Sequence, residues 1–184
     1  MRVAAVDLET TDLKAFMGTL LCGSFQPIDP GGPDPTYTKA LSFPLIDAFD
    51  PNPDRELAVR IRDEIEQYNL IVTWNGKMFD IPFLNARLLF HKERPVRPQF
   101  HLDLMYYAGY SANRIGSKKL ASVQQFLQIT EQKTALDWEI WKRAGKGDPE
   151  ALAEVVHHCE IDVRVLAEAY WRLLPYVRNL HRAG

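Results

Sequence analysis

The sequence predicts a three-layer α/β fold: a mixed central sheet carrying an antiparallel three-strand meander, with flanking helices. Three observations lead there. The first 45 residues hold short apolar runs separated by turn residues, a charged amphipathic segment then leads into another apolar run, and helical periodicity dominates the second half. Strands early, helices late and a helix between strands is the pattern of helices packed on a sheet. The 184 residues suit one domain, 1–184, and carry no internal repeat, low-complexity tract or interdomain linker.

The elements follow in order. Arg2–Leu8 is valine-rich and reads as a buried strand, and Thr19–Phe25 reads as a second after a polar turn. "PIDPGGPDP" is a loop by its Pro and Gly content, and Thr36–Phe43 alternates well enough for a third strand. Asn52 is placed as an N-cap and Pro53 in the first turn of a helix that keeps Leu57, Ile61 and Ile65 on one face. Leu70–Trp74 is a fourth strand; because it follows a helix, it should run parallel to a neighbour. Asn75-Gly76 breaks it, and a helix opens with Asp80 at its mouth, where Asp80 serves as an N-cap with Pro82 behind it. Everything after "HKERPVRPQ" reads as mostly helical, ending in one long helix from Pro149 to about Leu173.

Composition narrows the function classes. Apolar residues are 46% and charged residues 25%, as in soluble globular proteins, and no run is long enough to span a bilayer. The opening residues reach acidic positions too soon for a signal peptide, and two cysteines, Cys22 and Cys159, suit a reducing cytoplasm better than a disulfide framework or a cysteine zinc site. The net charge of −2 hides an asymmetry: residues 1–80 hold 7 Lys and Arg against 13 Asp and Glu, and residues 81–184 hold 15 against 11. An acidic half joined to a basic half is what a cation site beside a phosphate-binding surface produces, and chance scatter produces it too.

The chemistry-bearing residues begin with "VDLET". Residues two apart on a strand share a face, so Asp7 and Glu9 project side by side after an apolar run. Like charges so placed repel unless a cation neutralises them, and oxygen pairs suit Mg²⁺ or Mn²⁺. A solvated strand end explains the pair equally well. Asp80 follows the fourth strand, at the carboxyl end where open α/β sheets bind ligands, and helix capping also accounts for it. On the last helix the apolar stripe is Leu152, Val155, Val156, Cys159, Val163, Leu166 and Tyr170. Asp162 lies about 60° from the middle of that stripe, His158 about 100° on the same side, and His157 roughly opposite. An unbroken helix therefore pairs His158 with Asp162 and turns His157 to solvent.

Three stretches, "DLETTDL", "WNGKMFDIPFL" and "HCEIDVRVL", resemble in order and spacing the three motifs of the DEDD 3′–5′ exonucleases. That superfamily has the RNase H-like fold, and the nearest likeness is to proofreading domains of family-B DNA polymerases and their stand-alone relatives. "HLDLM" and "GSKKLASVQQFLQI" resemble the connecting segments, so the likeness spans nearly the whole chain.

The resemblance implies that Asp7, Glu9, Asp80 and Asp162 hold two Mg²⁺ or Mn²⁺ ions per site. It also implies hydrolysis of phosphodiester bonds at single-stranded nucleic-acid 3′ ends, with release of nucleoside 5′-monophosphates. One subgroup has a histidine separated from the last Asp by four residues, as His157 is, and the other a tyrosine separated by three, the place His158 occupies. The flanking residues resemble the tyrosine subgroup, so His158 is the expected catalytic histidine and His157 the fallback. Asp12 stands where the family has a turn glycine, a place that Asp fills if it adopts left-handed geometry.

Thr10, Asn75, Phe79, Lys118 and Lys119 are candidate substrate contacts, and Asp103 is more suited to a helix N-terminus than to a metal. Trp74, Trp138, Trp141 and Trp171 are expected in the core. An RNase H-like endonuclease or junction resolvase, and a catalytically silent nucleic-acid-binding subunit, are the alternatives. DNA and RNA stay equally open as substrate, as does a replication or repair partner.

Overall fold

The computed structural model describes residues 1–29, 41–108, 115–131, 135–177 and, for the backbone only, 181–183. Six strands lie in the order β3-β2-β1-β4-β5-β6: β1 Val3–Thr10, β2 Leu20–Ile28, β3 Leu41–Pro44, β4 Leu70–Thr73, β5 Gln99–Asp103 and β6 His181–Ala183. The first three form the expected antiparallel meander. β4 runs parallel to β1, β5 parallel to β4, and β6 antiparallel to β5. Among the described residues six α-helices surround this mixed sheet: α1 Arg55–Ile65, α2 Asp80–Phe90, α3 Met105–Ala108, α4 Leu120–Phe126, α5 Trp138–Gly145 and α6 Pro149–Leu173. No helix among the described residues is long and apolar enough to cross a membrane.

Strand alternation divides β1 between two cores. Ala4, Val6 and Leu8 pack with Leu57, Ile61 and Ile65 of α1 and Leu84 and Leu88 of α2. Val3 and Ala5 pack with Leu102, with Leu120 and Val123 of α4, and with Val163, Leu166 and Ala169 of α6. Asp7 and Glu9 continue the second series and so face α6. α6 runs unbroken across β1 and β2. Its buried face is wider than the expected stripe, adding Ile161 and Val165, while Leu152 and Val156 are only half-buried.

Several expectations are corrected. The stretch read as helical after "HKERPVRPQ" contains β5, and helix resumes only at Met105. "QFHLD" is too short to show a period; the open edge of β4 recruits it, pairing Leu70 with Phe100 and Val72 with Leu102. β6 was likewise not anticipated. Of the third strand, residues 36–40 lie outside the described ones, as do residues 30–35 of the loop. Trp138 is 60% exposed beneath Lys142, whereas Trp74, Trp141 and Trp171 are half-buried against the cores. Asn52 does not cap α1; its carbonyl accepts from the Arg55 N–H, and Asp54 is the residue that precedes the helix.

Asp54 is spent elsewhere. Fully buried, it accepts from the Leu20 N–H at 3.0 Å, from Arg87 Nε and Nη2 at 2.7 and 2.8 Å, and lies 2.7 Å from His91 Nε2. One carboxylate thereby ties the start of β2 to α1 and α2. Burial works to raise its pKa, but the hydrogen bonds from Arg87, Leu20 and His91 outweigh it and hold the group below the usual carboxylate range. Arg87→Met, which strands a buried carboxylate, is expected to cost about 3–5 kcal/mol in urea unfolding. Since the folded pKa is depressed, Asp54's contribution is complete above about pH 4 and is lost as pH falls through the folded value. Unfolding curves from about pH 5 downward should show that loss in the wild type and a smaller one in Arg87→Met.

Candidate active site

The site forms where β1 outruns β4. Their pairing stops at Ala5 and Val72, and β1 continues along β2 to Thr10, with a register slip between Glu9 and Thr10. Such irregularities re-aim side chains at strand ends. On the edge that β4 vacates, the Leu8 N–H has no strand partner; Asp80 Oδ1 accepts it at 3.0 Å. Asp80 is the first residue of α2 rather than its cap, because its carboxylate closes the β1 edge. It is 3% exposed, and burial together with the charge of Asp103 pushes its pKa up to about 7, against the hydrogen bond from Leu8.

Asp7 and Glu9 project toward α6. His158 and Asp162 come down from that helix, one turn apart. His158 Nε2 is 3.9 Å from Glu9 Oε1 and 3.9 Å from Asp162 Oδ2. Ligand atoms of Glu9, His158 and Asp162 all lie within 4.8 Å of one another. Asp7, Glu9 and Cys159 form a second such group, with Cys159 Sγ 3.4 Å from the Asp7 carbonyl and 3.5 Å from Asp7 Oδ2. His158 is 8% exposed and its ring meets Trp141 edge-on at 6.0 Å, whereas His157 is exposed. Three carboxylates on a rigid strand and a rigid helix, with Glu9 within 4.8 Å of each of the other two, suit a divalent cation. Asp80 belongs to neither group and sits at the β1 edge beside Leu8.

A cleft of about 690 Å³ opens beside this cluster, lined among others by Asp7, Asp162, Trp74, Asn75, Lys118 and Lys119. Lys118 and Lys119 are exposed on its rim, and the Trp74 indole N–H donates to the Lys118 carbonyl at 2.8 Å. Asn75 takes a left-handed conformation, φ 66°, and Gly76 must be glycine because a Cβ would fall 2.5 Å from Thr73. Asp103 holds this turn: it accepts from the N–H groups of Asn75 and Lys77 and, at the start of α3, of Met105. Phe79 packs on Phe83, ring centroids 5.6 Å apart, and does not line the cleft. The Thr10 hydroxyl donates to the Asp12 carbonyl, so it closes the turn. Asp12 does not adopt the left-handed geometry expected of it; its side chain instead accepts from the Lys14 N–H.

Sequence reasoning missed the Cys159 thiol at Asp7 and the Trp141 edge on His158. Helix phase held the first, since Cys159 lies one turn before Asp162 on the sheet side; the second depends on the docking of α5 against α6, which no local pattern encodes.

A family model of the RNase_H superfamily matches residues 5–174. The chain belongs to the RNase H superfamily. The match agrees with the motif resemblance and supports a nuclease-type, hydrolytic function on nucleic acid. No curated protein matches the chain. Among solved structures, the family B DNA polymerase from the hyperthermophilic archaeon Pyrobaculum calidifontis is similar in fold, with a TM-score of 0.71 at 18% identity. The likeness covers 95% of this chain and 25% of that one.

Without metal, the gathered carboxylates repel. Asp7→Asn is therefore expected to leave the metal-free melting midpoint unchanged or to raise it by up to about 3 °C. Added Mn²⁺ should raise the midpoint of the wild type and not that of the variant. A clear drop in the metal-free midpoint of Asp7→Asn would mark Asp7 as a structural residue.

Proposed function

We propose that this protein is a two-metal 3′–5′ exonuclease that trims single-stranded nucleic-acid ends and releases nucleoside 5′-monophosphates. The observation that carries the reading is the convergence of Asp7, Glu9, His158 and Asp162 beside a cleft rimmed by Lys118 and Lys119. Asp7, Glu9 and Asp162 would hold the ions, with Asp80 as the fourth carboxylate. Bound Mg²⁺ or Mn²⁺ lowers the pKa of water and neutralises charge on the phosphate oxygens.

The remaining work falls to the chain. His158 sits between two carboxylates that orient its ring and stabilise it as it takes a proton from the attacking water. Trp141 limits the ring's rotation from the side. Lys118 and Lys119 draw the phosphate backbone to the cleft, and Asn75 and Trp74 flank the path to the carboxylates.

The test is a 3′-labelled oligonucleotide, as DNA and as RNA, incubated with purified protein and Mn²⁺. Stepwise shortening is expected with the wild type and not with Asp7→Ala; a wild type that leaves both strands intact defeats the proposal. A covalently closed circle should survive, and its cleavage would indicate an endonuclease instead. His158→Ala is expected to slow shortening by roughly 10²-fold or more, the usual worth of a positioned acid–base group. His157→Ala, on the exposed face, should stay within about twofold of wild type. The reverse pattern would move the catalytic role to His157.

A further inference from the structure

The second of the two candidate cation groups contains an atom that Mg²⁺ chemistry does not call for. Asp7 and Glu9 share their group with the thiol of Cys159, which is fully buried behind them. Cys22, the only other cysteine, is the ladder partner of Glu9 and so lies on the same face of the sheet. Neither cysteine forms a disulfide. Mg²⁺ and Mn²⁺ are hard ions that select oxygen, whereas thiolate selects Zn²⁺ and its heavier congener Cd²⁺.

The geometry is close to what a soft ion needs. A tetrahedral Zn²⁺ with bonds of about 2.3 Å to sulfur and about 2.0–2.2 Å to oxygen sets those two ligand atoms about 3.5 Å apart. Cys159 Sγ and Asp7 Oδ2 are 3.5 Å apart. Glu9 completes a three-ligand set within 4.8 Å, and Asp7 also lines the cleft. An octahedral Mg²⁺ needs neighbouring oxygens about 2.9 Å apart and has no use for sulfur.

We propose that Cys159, Asp7 and Glu9 form a thiolate–carboxylate site for Zn²⁺ or Cd²⁺ that competes with the catalytic cations. The ion replaces the thiol proton: one S–H bond breaks, one metal–sulfur bond forms, and the proton leaves to the buffer. With Asp7 and Glu9 engaged, the site is closed to Mg²⁺ or Mn²⁺, so the exonuclease is held inactive by a soft metal. The proposal rests on reading Asp7 and Glu9 as a cation-facing pair, and its test needs no nuclease activity.

The experiment is ultraviolet titration of the whole chain with Cd²⁺, following the cadmium–thiolate charge-transfer band, with calorimetry in two buffers to count protons. The wild type should develop the band at about one ion per chain and release about one proton per ion. Cys159→Ala and Cys159→Ser should lack the band, while Asp7→Asn should weaken binding roughly tenfold or more. Excess Mn²⁺ should shift the wild-type titration to higher Cd²⁺. Circular dichroism melts establish that each variant is folded, and Cys159→Ser keeps the side-chain volume if Cys159→Ala does not fold. No band in the folded wild type, a band that survives in Cys159→Ser, or one lost only in Cys22→Ser overturns the proposal. Cadmium binding by a protein without exonuclease activity would uphold this site and reject the exonuclease reading; the opposite pair of results would do the reverse.

Discussion

The packing of α6 across β1 and β2 is the constraint on which the rest depends. Two of the gathered site residues come from the strand and two from the helix, and no loop lies between them. Val163, Leu166 and Ala169 fix the helix against one core while Val155 and Cys159 reach the other. The carboxylates cannot separate to relieve their repulsion without opening both. Folding energy, drawn from apolar burial on each side of the sheet, thus holds together charges that would otherwise move apart.

A second level of order surrounds this contact. Asp54 draws β2, α1 and α2 together through Leu20, Arg87 and His91, and Arg87 Nη1 also donates to the Ala15 carbonyl in the β1–β2 turn. Asp103 performs a similar task for the turn after β4. Both carboxylates saturate backbone N–H groups that regular secondary structure leaves over. The acidic residues of the chain therefore divide by what they face. Asp54 and Asp103 accept hydrogen bonds from several donors, whereas Glu9 lies beside Asp7 in one group and beside His158 and Asp162 in the other.

Much of this was legible in the sequence because it follows from period. The two-residue repeat of a strand set Asp7 beside Glu9, and the helical repeat separated His158 from His157. The meander, β4 and the extent of α6 carried strong local signals. Less was legible where long-range pairing decides. β5 has no periodicity of its own and exists because β4 offers an edge. Asp54 and Asp80 both sit beside helix starts and carry capping chemistry, yet their carboxylates serve β2 and β1 respectively. Asp12 fills a glycine position without glycine's backbone, through a side-chain bond to Lys14 that a one-letter pattern does not reveal. Trp138 shows the opposite failure: an aromatic at helical spacing whose neighbouring surface never arrives.

The bond between the Leu8 N–H and Asp80 acts as a calliper. Past Ala5, β1 no longer pairs with β4, and the Leu8–Asp80 hydrogen bond ties the start of α2 to the strand there. One carboxylate oxygen of Asp80 is committed to that backbone N–H. The reach of Asp80 is thereby measured from the spine of β1 itself. A shift of α2 along the sheet would have to break that bond together with the apolar contacts of Leu84 and Leu88.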